Sequence, residues 1–141
     1  MKILSRLLST IGFHLRFFGK HVKAEEKARQ AISCDERNYS AWRLLGIGYA
    51  DRAVGPPVNE TLEHEAEVFY KRAYDLAPDN YYCVWSLSCY LGYLGRTAES
   101  NSILDQYSKV DERKAARIRK LIRIYETEGS TRPPPPPHES R

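Results

Sequence analysis

Apolar residues at Leu4, Leu8, Ile11, Leu15 and Phe18 step along the chain by four, three, four and three positions. That is the period of an α-helix with one apolar face. The same period returns at Ile118, Leu121, Ile122 and Tyr125. Polar breaks interrupt the chain at Asp35-Glu36-Arg37-Asn38 and within Asp51 to Glu65, where Gly55, Pro56 and Pro57 fall. Asn59 precedes Glu60, Glu63 and Glu65. An Asn cap followed by negative charge suits a helix start, so a helix is predicted from there to Leu76, before Ala77-Pro78. Asn59-Glu60-Thr61 also spells a glycosylation sequon, but without a secretory signal it reads as a cap. From Gly129 onward Gly, Ser, Thr and Pro take over, which predicts a flexible Pro-rich tail over 129–141 with Pro133 to Pro137 as exposed polyproline II.

Composition and charge narrow the classes. With 141 residues, 42% of them apolar, the chain is long enough for one folded domain and too apolar for wholesale disorder. The longest weakly charged stretch, Asn80 to Gly95, has 16 residues and carries Asn, two Ser and four Tyr, which is too short and too polar to span a membrane. Cys34, Cys83 and Cys89 are odd in number and scattered, so neither a disulfide scaffold nor a Cys/His metal site is expected. A reducing compartment such as the cytoplasm follows, with membrane-peripheral and organellar placement left open. The net charge of +4 is unevenly spread. Residues 1–24 hold five basic side chains and no acid, and residues 113–123 hold six and no acid. The rest carries 11 basic against 18 acidic side chains, a balance of −7. Such asymmetry favours an acidic partner or an anionic surface.

An internal repeat changes the reading. Trp42, Leu45, Gly46 and Tyr49 give W-x2-L-G-x2-Y, and Ala66, Tyr70, Ala73 and Pro78 give A-x3-Y-x2-A-x4-P. With these two half-signatures the chain resembles the tetratricopeptide repeat family. Tyr49 and Ala66 are seventeen apart where the family has about nine, so the extra residues fall in the polar stretch between them. One unit earlier the frame meets Leu8, Ile11, Gly12 and Leu15, then Ala24, Ala28, Ala31 and Glu36, with Gly19 on the turn between helices. Ala28 and Glu36 depart from the usual aromatic and Pro. One unit later it meets Val84, Leu87, Ser88, Leu91, Ser100, Leu104 and Tyr107, the last large where Ala is usual.

The resemblance implies an all-α, right-handed α-solenoid: three helical hairpins, 5–38, 39–80 and 81–114, and a capping helix at about 115–128, so that residues 1–128 form one helical domain. The rival for residues 1–23, an organellar presequence, would delete the first helix of that array.

The resemblance further implies a binding groove lined by the first helix of each hairpin. Carried onto this chain, it is formed by Arg6, Phe13, Arg16 and Phe17, then Arg43 and Ile47, then Tyr82, Trp85 and Tyr93, with Arg119 and Arg123 from the closing helix. For Phe13 packing against adjacent helices is the favoured role, and Phe17 and Tyr93 fit either role equally. The groove is basic and aromatic, a composition that interface cores favour. The Lys and Asn of the family's carboxylate clamp have no counterpart, since those positions resemble Ser9, Phe13, Leu44, Tyr82 and Ser86; binding of chaperone tails is disfavoured.

No catalytic or cofactor pattern competes. His14, His21, His64 and His138 have no ligand spacing, and Gly46-Ile47-Gly48 has no strand before it and is no phosphate loop. The expectation is a non-enzymatic adaptor without metal or cofactor that holds an acidic or extended protein segment. The alternative is a peripheral membrane subunit docking through its basic amphipathic ends. Nucleic acid ranks third, because no nucleic-acid module is visible.

Overall fold

A computed structural model describes residues 1–127. They form seven α-helices and no strand: α1 (Lys2–Phe17), α2 (His21–Cys34), α3 (Tyr39–Ala53), α4 (Glu60–Leu76), α5 (Tyr81–Tyr93), α6 (Thr97–Ser108) and α7 (Glu112–Thr127). The pairs α1/α2, α3/α4 and α5/α6 match the expected helix pairs, except that α1 begins at Lys2, ahead of residue 5, and α7 begins at Glu112, within the range expected for the third pair. The tail over 129–141 lies outside the described residues. Contacts divide the chain into two compact units, Met1–Ala77, holding α1 to α4, and a second from Pro78, holding α5 to α7.

The helix ends have local causes. The side chains of Asn38, Asn59 and Asn80 accept from the backbone N–H groups of Ala41, Leu62 and Cys83, which satisfies orphan donors at the starts of α3, α4 and α5. Two hairpin turns use left-handed glycines, Gly19 at φ 74° and Gly95 at φ 77°, a conformation that costs other residues energy. Each closes its helix the same way. Lys20 N–H donates to the Leu15 carbonyl at 2.8 Å, and Arg96 N–H to the Leu91 carbonyl at 2.9 Å, the wider bond of a Schellman-type ending. In the middle hairpin the extra residues lengthen both helices, and only residues 54–59 stay outside them.

In the first unit α1 packs on α2, α2 on α3, and α3 on α4. Ala28, Leu44 and Leu45 form a core cluster, with Phe13, Ile32, Trp42 and Phe69 packed against it. Burying a Leu of this kind stabilises by about 1.5–3 kcal/mol. Gly46 lets α3 approach α4: a Cβ there would lie 2.8 Å from Cδ1 of the buried Tyr70 ring. At Gly12 a Cβ would meet Leu44 Cδ2 at 2.6 Å and the Ala24 carbonyl oxygen at 3.2 Å.

α1 is turned about a quarter turn from the simplest reading of its apolar period, so that Leu8 and Leu15 are only half-buried. Its buried residues are Ser5, Ser9 and Gly12, while Leu4, Ile11 and the adjoining Phe18 are exposed. The inward face is held by hydrogen bonds: Ser5 Oγ donates to the Ala31 carbonyl at 2.6 Å, and Asn38 Nδ2 donates to the Ser5 carbonyl at 3.1 Å and to Ser5 Oγ at 2.9 Å.

In the second unit α5 packs on α6 and α7, and α6 on α7. Val84, Leu87, Leu91, Leu104, Tyr107 and Ile118 are buried. The small residue at the close α5/α6 approach is Ser88, whose carbonyl accepts from Ser100 Oγ at 2.8 Å.

Candidate functional site

The groove residues expected from sequence divide by accessibility. In the first unit Arg6 is exposed on α1, and Phe17 is 72% exposed with its ring edge-on to Phe18. Arg16 is half-buried, and its Nη2 donates to Asp51 Oδ2 at 2.6 Å, which ties α1 to α3. Arg43 is only 1% exposed, with its guanidinium 4.8 Å from the centre of the Phe13 ring. Ile47 is buried, and Phe13 belongs to the packing around Ala28 and Leu44. Phe13, Arg43 and Ile47 therefore work inside the first unit, and a ligand would not reach them in this conformation. Their spacing puts them one step round from the packing residues, but spacing cannot show how far neighbouring side chains close over that face.

In the second unit Tyr82 and Tyr93 are half-buried, one beside Tyr81 at 5.5 Å and the other stacked on Tyr90 at 6.0 Å. Trp85 is 8% exposed and packs edge-on against Tyr81 at 5.3 Å. Its Nε1 and the adjacent Ser86 Oγ are buried and make no hydrogen bond among the described residues. A buried donor in that condition costs roughly 1–3 kcal/mol. On α7, Arg119 hydrogen-bonds Asn101 at 3.3 Å and pairs with Asp105, and Arg123 is exposed one turn on. Lys114 lies 5.2 Å from the centre of the Tyr81 ring. Five of the six α7 cations are exposed, as a solvated basic face requires.

A second polar-aromatic cluster escaped the sequence reading. Glu25 accepts from Arg29 at 3.1 Å and from Arg52 at 3.0 Å, Arg29 also donates to the Tyr49 hydroxyl, and Arg52 sits 4.5 Å from the Tyr49 ring centre. Tyr49 in turn meets Phe69 edge-on at 4.8 Å. The only hint in the sequence is the Glu25/Arg29 spacing of four, which stabilises many ordinary helices. All its charges are paired, so it staples α2 to α3.

The thiols are placed for packing. Cys83 and Cys89 are buried and Cys34 is half-buried, and all three are free. Among the described residues no group of three or more His, Cys, Asp or Glu side chains could hold a metal ion. No described helix is long and apolar enough to cross a membrane.

Burial pushes the Cys89 thiol far up. Burial also raises Tyr81, opposed by a hydrogen bond from Arg117, and raises Tyr107, assisted by the charge of Asp111. A raised acid is held protonated by the fold, so its contribution is complete below the unfolded group's range and is lost as pH climbs. Unfolded thiols titrate near about 8.5 and tyrosines near about 10. The thermal midpoint is therefore expected to hold from neutrality to about pH 8.5 and then to fall. Cys89→Ala should remove the earliest part of that fall, and circular-dichroism melts across pH measure it.

No protein-family model matches the chain, and no relative is found among curated proteins.

Proposed function

We propose that this chain is a tetratricopeptide-like adaptor that binds an acidic protein segment along the first helices of its hairpins and carries out no chemistry itself. The observation that carries the reading is the recurrence of one local construction in the frame of the sequence repeat. Gly19 and Gly95 turn the outer hairpins with the same hydrogen-bond closure. Asn38 and Asn80 cap the helices that open the second and third hairpins. Gly12, Gly46 and Ser88 occupy equivalent close helix approaches. Irregular helical proteins have no reason to repeat turn, cap and contact in register, whereas a solenoid of stacked hairpins does.

Each unit offers accessible cationic and aromatic side chains at the expected positions: Arg6 and Phe17 in the first unit, and Tyr82, Tyr93 and Arg123 in the second. An acidic segment with apolar anchors complements both properties. The test is selection of binding peptides from a displayed random library, followed by titration of the best binder. Arg123→Glu should weaken that peptide at least about tenfold, whereas Arg37→Glu, outside the groove, should change it by no more than about twofold. Equal losses, or a library that yields no binder, would contradict the reading. Arg43→Glu is no substitute, because a buried reversed charge would report on folding.

A further inference from the structure

The α1 surface carries an inference independent of the groove. A helix on the outside of a protein normally turns its large apolar residues inward and its small polar ones to water. α1 does so only in part: Leu8, Phe13 and Leu15 are half-buried, but its fully buried positions are small. Ser5, Ser9 and Gly12 face inward and are locked there through Asn38 and Ala31. Ile3, Leu4, Leu7 and Ile11 point outward, Ile3 at 86% and Leu7 at 55% exposure, and the patch continues past the helix end through exposed Phe18 and Val22. At 100° per residue Ile3, Leu7, Leu4 and Ile11 fall within one sector over about 12 Å of the helix, with exposed His14 in the same sector one turn on. Four cations border the patch, Lys2 and Arg6 along one flank and Lys20 and Lys23 beyond its end, all exposed. No acidic residue occurs before Glu25.

We infer that the outer face of α1 docks on an anionic lipid bilayer, with the Ile/Leu stripe entering the headgroup–acyl boundary and the cations meeting lipid phosphates and carboxylates. The combination of an apolar stripe, basic flanks and no acid is what holds a helix in the plane of such an interface. A second copy is a poorer occupant. It would bring a predominantly cationic surface against itself, with like charges opposed. Unlike a helix that refolds to expose its apolar side, α1 already presents it, because its inward contacts are made by other residues.

Flotation of the full chain with vesicles tests this, using phosphatidylcholine alone and phosphatidylcholine with about 30 mol% phosphatidylserine. The wild-type chain should float with the anionic vesicles and bind neutral ones at least about tenfold more weakly. I3S/L7S/I11S should lose at least about tenfold in affinity for the anionic vesicles while keeping its helical spectrum and melting temperature. K20E/K23E, which leaves the stripe untouched, should lose the preference for anionic lipid, and covers the case in which the triple variant folds poorly. The inference is overturned if the wild-type chain floats with neither vesicle, if it binds both equally, or if I3S/L7S/I11S binds as well as wild type. It is equally overturned if sedimentation equilibrium shows a dimer that the triple variant abolishes and no vesicle binding occurs, which would assign the face to a second copy.

Discussion

Gly46→Ala is expected to destabilise the protein by about 1–3 kcal/mol, although Gly to Ala inside a helix ordinarily stabilises by up to about 1 kcal/mol. The reason is the contact between α3 and α4. The new Cβ would lie 2.8 Å from Cδ1 and 2.9 Å from Cε1 of Tyr70, whose ring is buried and cannot swing into water. The helices must separate or the ring must leave its place, and either loses packing. Gly48 supplies an internal control. It lies on the same helix, and a Cβ there meets nothing within 4 Å. Gly48→Ala should therefore raise the melting temperature while Gly46→Ala lowers it. In a Tyr70→Leu background the Gly46→Ala penalty should shrink, because the two sites share one contact. Equal effects at Gly46 and Gly48 would show that α3 and α4 do not meet at Gly46.

Asn38→Asp should cost about 2–4 kcal/mol, even though Asp caps a helix as well as Asn does. Asn38 has two tasks. Its Oδ1 accepts from Ala41 N–H at 3.1 Å, which an Asp would still do. Its Nδ2 donates to the Ser5 carbonyl, Ser5 Oγ and Ser9 Oγ, which an Asp cannot do. The substitution would set a buried carboxylate against the Ser5 carbonyl oxygen and remove the donor that holds α1 down. The new carboxyl would be harder to ionise than in the unfolded chain, so acidification should recover part of the loss. Asn59→Asp, at an exposed cap, should change stability by no more than about 0.5 kcal/mol. If both Asn substitutions are neutral in urea titrations, the buried network beneath α1 does not exist.

These two sites also show where sequence legibility stops. Gly46 is visible as the small residue of a repeat signature, and its role as a close-approach position follows from that frame. Asn59 is visible as a cap because three glutamates follow it. The helix boundaries are legible for the same kind of local reason, a turn glycine, a capping Asn or a proline pair. Asn38 is different. It sits in a polar break with no local mark of burial, yet it is buried because α1 lies over it. The face of α1 is hidden in the same way. Its Leu/Ile period identifies a helix, but which face turns inward depends on partners 26 and 33 residues away. Arg43 follows suit, since a charged residue on an outward register becomes buried over Phe13 only once α1 and α3 are side by side. Local signals reach a few residues; burial is decided by elements distant in the chain.

The adaptor reading meets its most direct test in amide chemical shifts. The isotope-labelled chain would be titrated with an acidic peptide selected for binding, and the perturbed amides assigned. The proposal predicts that they concentrate on α1, α3, α5 and α7, with side-chain shifts at Tyr82 and Tyr93. Perturbations confined to α2, α4 and α6, or to residues beyond Thr127, would contradict it.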